Sequence, residues 1–490
     1  MNAQQVTLLV SILFFVVDLA IKIAALIIIP RDRKPTAAMA WLLAIFFIPY
    51  VGILFFLILG SAKLPKKRRE KQVQIDAMIA SAVPRVDLVS DRSTWAPWLE
   101  NVTVMNQNLG AVPMIGGNTA HLIDDYNGGI VTMAAEIDTA TTFVHVEYFI
   151  VSFDSVTKPF FTAMENAVAR GVTVRLLADH ISSKKVAHSA ETFAELDRIG
   201  VKWSYMLPVM PFKGKYQRPD LRNHRKLVVV DGRVAFMGSQ NLIDRSYNSP
   251  KNIKRGLQWQ ELITRLTGPA VSGINAVFLS DWYMETDEII ENDRVSPTAL
   301  ESATGPTALD CQIVPSGPGY EGENNLQLFL ALLYSAQKKV IITSPYFVPN
   351  EAMLYAIIAA RKRGLEVQLF VSAIGDQVPV FHAQRSYYRP LLEAGVQIWR
   401  YPAPYILHAK HLSIDDDIAV IGSSNMDIRS FLLDLEISML VRGQSFVAEM
   451  RAVEAHYREI GSLLTLDEWN REPLKSTALD GLARLTSALE

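Results

Sequence analysis

Two long apolar runs open the chain. The first covers residues 6–29 and contains only two charged residues, Asp18 and Lys22, whose spacing lets them pair on one face of a helix. A helix of this length spans the ~30 Å of hydrocarbon in a bilayer. The second run covers residues 37–59. Together the runs predict two transmembrane helices within an N-terminal membrane anchor of residues 1–71.

Beyond the anchor, short apolar runs typical of buried strands alternate with stretches of helical periodicity. Two parts of the chain show the same order: strand, helix closed by Gly, strand, helix closed by Gly, strand. Their opening strands are residues 143–150 and 340–348. This order predicts an α/β fold of two pseudo-symmetric halves, each a mixed, mostly parallel sheet flanked by helices. We assign residues 72–300 to the first half and residues 301–490, with a C-terminal helix, to the second.

Charge is divided unevenly along the chain. Residues 1–71 hold ten Lys and Arg against three Asp and Glu, whereas the rest holds 38 against 47. An acidic main region argues against a nucleic-acid partner. Three basic residues lie between residues 31 and 34, and six lie between residues 63 and 71. Because basic flanks stay on the cytoplasmic side, we predict that the region after the anchor lies on the cytoplasmic face of the inner (cytoplasmic) membrane.

Two segments each allow two interpretations. Basic residues 66–71 are typical of an ordinary stop-transfer flank, and equally of a patch that holds anionic lipid headgroups. The segment 206–220 mixes proline, methionine, aromatic and basic side chains, among them Lys213, Lys215 and Arg218. It is either a proline-ordered surface loop or a loop that inserts apolar groups into the membrane interface.

One pattern of polar residues occurs twice in the chain. His and Lys two residues apart, followed by Asp, appear as His224, Lys226 and Asp231 and again as His408, Lys410 and Asp415. Each copy is followed at the same distance by Gly-Ser-x-Asn, which contributes Ser239 and Asn241 in the first copy and Ser423 and Asn425 in the second. On a strand, residues two apart point to the same face, so each imidazole lies beside an ammonium group. The hydroxyl and amide donors suit phosphate oxygens.

The doubled motif indicates a two-step, metal-independent displacement on one phosphate diester. One imidazole attacks phosphorus and the other protonates the departing alcohol, while the lysines and asparagines surround the phosphoryl group. The near symmetry of the copies leaves open which histidine attacks; the working hypothesis takes His224 as the nucleophile and His408 as the acid. The motif aspartates, Asp231 and Asp415, fall in predicted turns and are interpreted as supporting parts of the catalytic motif.

The remaining histidines show no spacing typical of a metal site, so neither a metal nor another cofactor is predicted. His145 and Glu147 share one face of a predicted strand near the first motif. They are candidates for lining the pocket, although core positions are the more common role for such residues. Cys311 is the single cysteine, which excludes an internal disulfide.

These residues resemble the signature of the phospholipase D superfamily, a doubled His-x-Lys-x4-Asp. With the anchor and the layout of the whole chain, the resemblance extends to bacterial cardiolipin synthases of the two-transmembrane type. It implies phosphatidyl transfer between two phosphatidylglycerol molecules, which gives cardiolipin and glycerol through a phosphatidyl-histidine. It also implies that an acidic residue after each motif, Glu261 and Glu436, orients a histidine. The partners implied are phospholipids and the membrane.

Other activities are compatible with the same motif. A membrane-bound phospholipase D passes the intermediate to water and releases phosphatidic acid, and a related transferase takes another phospholipid, such as phosphatidylethanolamine, as donor or acceptor. A non-catalytic scaffold is disfavoured because both motifs retain His, Lys and Asp. A nuclease is disfavoured by the anchor and the acidic charge of the main region.

Overall fold

The structure is a computed structural model that describes residues 3–33, 35–60, 64–65, 68–72, 74–75, 92–213, 216–320 and 322–485. The chain divides into two compact units, Met1–Lys63 and Leu64–Glu490. The predicted halves 72–300 and 301–490 thus lie within one unit and share its sheet.

The described part of the first unit is helical. Its helices are α1 (Ala3–Ile28), α2 (Pro35–Phe47) and α3 (Pro49–Leu59), with a 3-10 turn at Ile29–Asp32 after α1. Among the described residues, one helical stretch, Gln4–Arg31, is long and apolar enough to cross a membrane. This stretch contains the first predicted span.

The second predicted span, residues 37–59, was expected to be one helix. In the structure it is divided between two helices, α2 and α3. Ile48 lies between the two helices with φ −135°, outside the helical region. Pro49 follows and begins α3. Proline has no N–H for the helical hydrogen bond, and its ring clashes with the carbonyl one turn earlier, so it ends α2 and suits the first position of a new helix.

Helices and strands of the second unit follow the repeated order predicted from the sequence. The helices are α4 (Leu99–Asn108), α5 (Tyr126–Asp138), α6 (Lys158–Ala169), α7 (His180–Lys185), α8 (Ser189–Ile199), α9 (Pro250–Arg255), α10 (Val271–Thr286), α11 (Asn324–Ser335), α12 (Glu351–Lys362), α13 (Val378–Arg385), α14 (Tyr388–Ala394), α15 (Ile428–Leu432), α16 (Gln444–Ile460), α17 (Leu466–Trp469) and α18 (Leu474–Arg484). The strands of the first half are β1 (Ile115–Ile123), β2 (Phe143–Tyr148), β3 (Thr173–Asp179), β4 (Lys202–Met206), β5 (Arg222–Asn223), β6 (Leu227–Val230), β7 (Val234–Gly238), β8 (Gln258–Gln260) and β9 (Ile263–Thr267). Those of the second half are β10 (Leu309–Ser316), β11 (Lys339–Thr343), β12 (Phe347–Val348), β13 (Glu366–Ser372), β14 (Gln397–Tyr401), β15 (Tyr405–Leu407), β16 (His411–Ile414), β17 (Ile418–Gly422), β18 (Met426–Asp427), β19 (Asp434–Arg442) and β20 (Ser462–Leu464).

One sixteen-stranded sheet runs through both halves. Its order is β20-β14-β13-β11-β16-β17-β19-β10-β1-β9-β7-β6-β2-β3-β4, and β5 pairs with β19 beside this path. Apart from β20, which extends one edge, the two sides of the sheet have equivalent strands in the same order outward from the centre. At the centre β1 and β10 pair antiparallel, with Ile115 opposite Cys311. Antiparallel pairing of two equivalent strands is what a pseudo-twofold axis through the sheet produces. The α/β fold of two related halves is therefore confirmed.

The sheet is more antiparallel than predicted. In each half three neighbouring strands are parallel, β2-β3-β4 and β11-β13-β14. The motif strand β6 pairs antiparallel with β2 and β7, and β16 does the same with β11 and β17. Strands buried on both faces are apolar throughout whether their neighbours are parallel or antiparallel, so the apolar runs did not distinguish the two pairings.

Helices cover both faces of the sheet around the motif strands. All four residues of β6 are buried, and all four of β16. Leu227 and Val229 enter one apolar cluster, while Val228 and Val230 enter another on the opposite face. Each fully buried aliphatic side chain contributes about 1.5–3 kcal/mol. The strands that follow the motif histidines are thus anchored on both sides.

Candidate active site

The two motifs meet through strands exchanged between the halves. β5, which ends one residue before His224, pairs parallel with the start of β19 in the second half. β15, which ends one residue before His408, pairs parallel with β8 in the first half. The backbone N–H of His224 donates to the carbonyl of Leu435 at 2.8 Å, and that of His408 donates to the carbonyl of Gln260 at 2.7 Å. Each histidine is therefore held by the segment that follows the opposite motif.

A buried carboxylate contacts each motif histidine, and the pairing is crossed. His224 Nδ1 lies 2.9 Å from Glu436 Oε1, and His408 Nδ1 lies 2.8 Å from Glu261 Oε1. Glu436 is 0% exposed and Glu261 is 1% exposed. Because a carboxylate accepts from Nδ1–H, the proton is held there and Nε2 of each ring is left for chemistry.

The two histidine–glutamate pairs are not electrostatically equivalent. Burial lowers the pKa of His224 well below its usual value, and the nearby Lys226 and Lys410 lower it further. Burial also lowers the pKa of His408, but the Glu261 carboxylate opposes that effect. Burial raises the pKa of Glu436 to about 7. Burial also acts to raise the pKa of Glu261, but His408 and Lys410 outweigh it and hold that pKa below its usual value. The surroundings lower the pKa of both histidines, but that of His224 more strongly, so His408 retains a proton more readily than His224 does.

Both motif lysines lie beside their own histidine. Lys226 Nζ donates to the carbonyl of His224 at 2.5 Å, and Lys410 Nζ donates to the carbonyl of His408 at 2.6 Å. Burial lowers the pKa of Lys226 to about 8, although Glu436 and Glu261 raise it. Burial lowers the pKa of Lys410 to about 7, and Lys226 lowers it further. The pocket therefore holds two ammonium groups close to their point of deprotonation, and an anionic phosphodiester would stabilise their charged forms.

Most of the predicted phosphate-binding side chains make bonds within the protein. Ser423 Oγ donates to Glu436 Oε2 at 2.5 Å, and Ser239 Oγ donates to the Leu262 carbonyl at 3.1 Å. Asn241 accepts from the N–H of Ile150 at 3.2 Å and donates to the hydroxyl of Tyr247 at 2.8 Å. Asn425 is buried, and its side-chain oxygen has no hydrogen-bond partner among the residues that the structure describes. In this structure the serines and Asn241 position other parts of the site.

Comparison with known proteins identifies the family. A family model described as cardiolipin synthase, PLD-like domain, matches residues 133–273 and 329–456, more than half of the chain. The chain belongs to this family. A second model, described as phospholipase D-nuclease N-terminal, matches residues 20–61.

Individual relatives agree with the assignment to the cardiolipin synthase family. Cardiolipin synthase A of Pectobacterium atrosepticum is 30% identical over 457 residues, which are 91% of each chain. Cardiolipin synthase A of Proteus mirabilis is 28% identical over 495 residues, 99% of each chain. The crystal structure of phosphatidylserine synthase from Haemophilus influenzae Rd KW20 has a TM-score of 0.59 at 16% identity, covers 79% of this chain and 99% of its own, and shows the shared fold. As a member of the cardiolipin synthase family, the chain is a phosphatidyltransferase.

The motif aspartates lie in turns that join strands, away from the histidines. Asp231 has φ 51°, and its carboxylate accepts hydrogen bonds from the backbone or hydroxyl groups of Thr141, Thr142 and Phe143. Asp415 has the same φ and accepts from the N–H groups of residues 337–339. Each aspartate ties the turn after a motif strand to the start of the neighbouring strand. In this cardiolipin synthase family fold, their contacts are those of structural residues.

Replacing Asp231 with Asn should lower stability more than it lowers activity. Burial raises the pKa of Asp231, but the bonds from Thr142 and the adjacent N–H groups lower it below its usual value. We expect a loss of about 2–3 kcal/mol at neutral pH, with turnover of the folded fraction kept within a few-fold. The difference shrinks as the pH falls below about 4, where the carboxylate is protonated first in the unfolded chain and then, at its lower pKa, in the folded chain. Urea unfolding of the wild type and the variant at several pH values measures the difference in unfolding free energy. A loss of turnover as large as that of His224→Ala would contradict the prediction.

Sequence reasoning assigned no role in the site to several residues around the histidines. The ring of Phe149 lies 4.8 Å from that of His224, and the ring of Tyr346 lies 6.0 Å from that of His408. Arg429 donates to the carbonyl of Asp220 at 2.7 Å and to the carboxylate of Asp434 at 3.1 Å. The signal for the aromatic pair was present, since both residues end the matched opening strands of the two halves.

His145 and Glu147 lie in the core. His145 is fully buried, with its ring between those of Phe143 and Phe278, and it bonds Asn275 and Asp293. Glu147 is also fully buried, and burial raises its pKa well above the usual value. The pocket-lining hypothesis for His145 is therefore replaced by a structural role. Among the described residues, no group of three or more His, Cys, Asp and Glu forms a metal-binding cluster.

Two basic residues at the end of the predicted anchor pair with acidic residues at the end of α10 and just after it. Arg68 Nη2 lies 2.6 Å from Glu285 Oε2, and Lys71 pairs with Asp287. Residues 66 and 67 fall outside the described residues. In the segment 206–220, Phe212 is fully exposed and Arg218 pairs with Asp220, while residues 214 and 215 lie outside the described residues. The exposed ring of Phe212 is consistent with a loop that inserts apolar groups into the membrane interface. Arg218, which was expected to meet lipid phosphates in that interpretation, forms an ion pair with Asp220 instead.

The two lysines make ligand binding depend on pH. A phosphonate analogue of phosphatidylglycerol keeps a single negative charge near neutrality, so changes in its binding report on the protein. Because Lys410 and Lys226 have pKa values of about 7 and about 8, both lose charge as the pH rises. We expect the inhibition constant of the phosphonate to rise at least about tenfold between pH ~6.5 and pH ~9.

Competition against phosphatidylglycerol turnover measures this constant. Lys410→Met should remove the part of the increase near pH 7, and Lys226→Met the part near pH 8. An inhibition constant that is independent of pH in the wild type would contradict the prediction, because it would mean that neither ammonium group contacts the bound phosphoryl group.

Proposed function

We propose that the chain transfers a phosphatidyl group from one phosphatidylglycerol to another, giving cardiolipin and glycerol through a phosphatidyl-histidine. The observation that carries the proposal is the crossed pair of buried contacts, His224 with Glu436 and His408 with Glu261. Both rings are held at Nδ1 and present Nε2, as a nucleophile and its proton-transfer partner require. The cardiolipin synthase family supplies the substrate class.

In the first step, His224 Nε2 attacks the phosphorus of phosphatidylglycerol. The phosphorus–nitrogen bond forms as the bond from phosphorus to the glycerol oxygen breaks, and protonated His408 gives the Nε2 proton to the departing glycerol. The products are free glycerol, a phosphatidyl group on His224 and a neutral His408. The protonated Lys226 and Lys410 stabilise the negative charge on the phosphoryl oxygens.

In the second step, neutral His408 removes the proton from the free glycerol hydroxyl of a second phosphatidylglycerol. The resulting oxygen attacks phosphorus and the phosphorus–nitrogen bond breaks, which releases neutral His224 and cardiolipin. His408 returns to its protonated form, so the cycle consumes no proton. One imidazole acts as acid and then as base at the same atom, Nε2.

The unequal surroundings of the two pairs support His224 as the nucleophile. An attacking imidazole has to be neutral, and burial together with two nearby lysines lowers the pKa of His224 well below its usual value. The acid has to carry a proton, and the Glu261 carboxylate opposes the loss of that proton from His408. We further propose that the catalytic unit faces the cytoplasm, which the basic residues between 63 and 71 support.

Product analysis tests the reaction. The purified full-length chain is incubated with vesicles of phosphatidylglycerol alone, and cardiolipin, glycerol and phosphatidic acid are quantified. We expect cardiolipin and glycerol in equal amounts, and neither from His224→Ala. Phosphatidic acid without cardiolipin would replace the proposal with a phospholipase D. Dependence of cardiolipin formation on added phosphatidylethanolamine would identify a different donor or acceptor.

A further inference from the structure

Helices α2 and α3 fold back against each other. The rings of Trp41 on α2 and Phe56 on α3 lie 5.5 Å apart in an edge-to-face contact. In one straight helix, residues separated by fifteen positions would lie about 22 Å apart along the axis. Gly52 lies where the two helices approach, and a Cβ there would come within 2.7 Å of the Ala44 carbonyl oxygen. The second apolar run is therefore a tight helical hairpin.

The two open ends of this hairpin lie at the same level. Arg33, just before α2, donates from Nε to the carbonyl of Gly60, just after α3, at 3.0 Å. Its guanidinium also lies 4.6 Å from the ring centroid of Phe56 and donates to the Ile29 carbonyl at 3.2 Å. The chain thus enters the hairpin and leaves it beside the C-terminal end of α1.

The tip of the hairpin reaches the middle of α1. Tyr50, at the start of α3, has its ring 6.4 Å from that of Phe14, which lies near the centre of α1. The Lys22 ammonium lies 5.8 Å from the ring of Phe46, near the end of α2. With 13 and 11 residues, α2 and α3 are about 20 Å and 17 Å long, too short to cross ~30 Å of hydrocarbon.

The hairpin has the surface and the backbone bonding that a lipid environment requires. Its outward side chains are large and apolar; Phe47 is 81% exposed and Leu57 is 75% exposed. At the reversal, the N–H of Ile48 donates to the Ala44 carbonyl at 2.9 Å, and the N–H of Gly52 donates to the Ile48 carbonyl at 2.7 Å. Pro49 has no N–H to satisfy. Backbone polar groups at membrane depth have to be satisfied internally, and these hydrogen bonds do so for the groups named at the reversal.

We propose that the chain crosses the membrane once, through α1, and that α2 and α3 form a re-entrant hairpin whose partner is the acyl-chain layer of one leaflet. The basic residues at positions 31–34 and 63–71 then lie on the same side of the membrane, whereas the tail before α1 has none. That distribution makes the shared side cytoplasmic and places the N-terminus on the opposite side. Two full spans would instead separate the three basic residues from the six. The inference does not depend on the proposed reaction.

Cysteine accessibility in the full-length chain distinguishes the two arrangements. Native Cys311 is buried and burial raises the pKa of its thiol, so it gives a low background. Gln4→Cys, Arg31→Cys and Glu301→Cys are each treated with a membrane-impermeant maleimide in right-side-out vesicles and in inverted vesicles. We expect Gln4→Cys to react at least about tenfold more in right-side-out vesicles, and the other two to react at least about tenfold more in inverted vesicles.

The two-span arrangement gives a different result. Gln4→Cys and Glu301→Cys would react on one side, and Arg31→Cys on the other; that outcome overturns the inference. A nitroxide on Tyr50→Cys provides a second measurement. We expect its contact with dissolved oxygen to exceed its contact with a polar nickel complex, as for a site near the bilayer centre. Contact mainly with the nickel complex on the side facing Gln4 would also overturn the inference.

Discussion

Replacing His224 with Ala should abolish formation of the phosphatidyl-enzyme, whereas replacing His408 with Ala should trap it. The suitable substrate is a phosphatidyl ester of p-nitrophenol, whose leaving group departs as an anion and needs no protonation. His408→Ala should then release one equivalent of nitrophenolate per enzyme and stop, because no base activates the second alcohol. Both variants should lose at least about 10⁴-fold in turnover of phosphatidylglycerol.

Isolation of ³²P-labelled protein and mapping of the labelled peptide measure the adduct. Asp231→Asn is a matched control, since it belongs to the same motif but lies in a turn bonded to Thr141 and Thr142; it should show normal turnover without a trapped intermediate. Labelled protein from His224→Ala, with none from His408→Ala, would exchange the roles of the two histidines. A burst of nitrophenolate without ³²P-labelled protein from either variant would contradict a covalent phosphatidyl-histidine intermediate.

Glu436→Gln should reproduce the defect of His224→Ala in weaker form, and Glu261→Gln that of His408→Ala. The reason is the crossed pairing: Glu436 contacts His224 Nδ1, and Glu261 contacts His408 Nδ1. Loss of the carboxylate charge removes stabilisation of the imidazolium that forms during each step. We expect losses of about 10²- to 10⁴-fold in turnover. With the nitrophenyl ester, Glu436→Gln should slow the burst, while Glu261→Gln should keep the burst and slow the step after it.

Glu454→Gln controls for the loss of a buried carboxylate. Glu454 is 0% exposed and bonds Arg451 and Ser413, which lies on the motif strand β16. The Glu454→Gln substitution should lower the stability of the protein without changing the ratio of the rates of the burst and of the step after it. If Glu261→Gln slowed the burst and Glu436→Gln slowed the second step, each glutamate would act on the histidine of its own half, contrary to the contacts seen here.

The local sequence pattern was sufficient to predict several parts of the structure. The repeated spacing of His, Lys and Asp located the motif strands β6 and β16, because the apolar run before each Asp is typical of a buried strand. The prediction that each His and Lys lie on the strand itself was wrong, since both residues come just before it. The apolar run from Leu227 to Val230, followed by Asp231-Gly232, predicted the hairpin of β6 and β7. The first apolar run predicted α1, since length and apolar character alone define a membrane-crossing helix.

Contacts between segments that are distant in the sequence could not be predicted from local pattern. The bend at Ile48 follows from Pro49, but that α2 and α3 fold back depends on the packing of Trp41 on Phe56. The serines of the Gly-Ser-x-Asn segments were predicted to bind phosphate, yet Ser423 bonds Glu436. A hydroxyl suits several acceptors, and only the folded surroundings select one of them.

By itself, the sequence determined the chemical groups, their doubling, the α/β alternation and the presence of an apolar anchor, because these depend on residues close together in the chain. The tertiary structure alone decided which glutamate contacts which histidine and that the two helices of the second apolar run fold back against each other. The crossed pairs depend on β5 with β19 and β8 with β15. Each pairing covers only two or three residues, which is too short to leave a periodic signal, and joins segments about 150 or more residues apart. Its register is therefore set by the packing of the two halves.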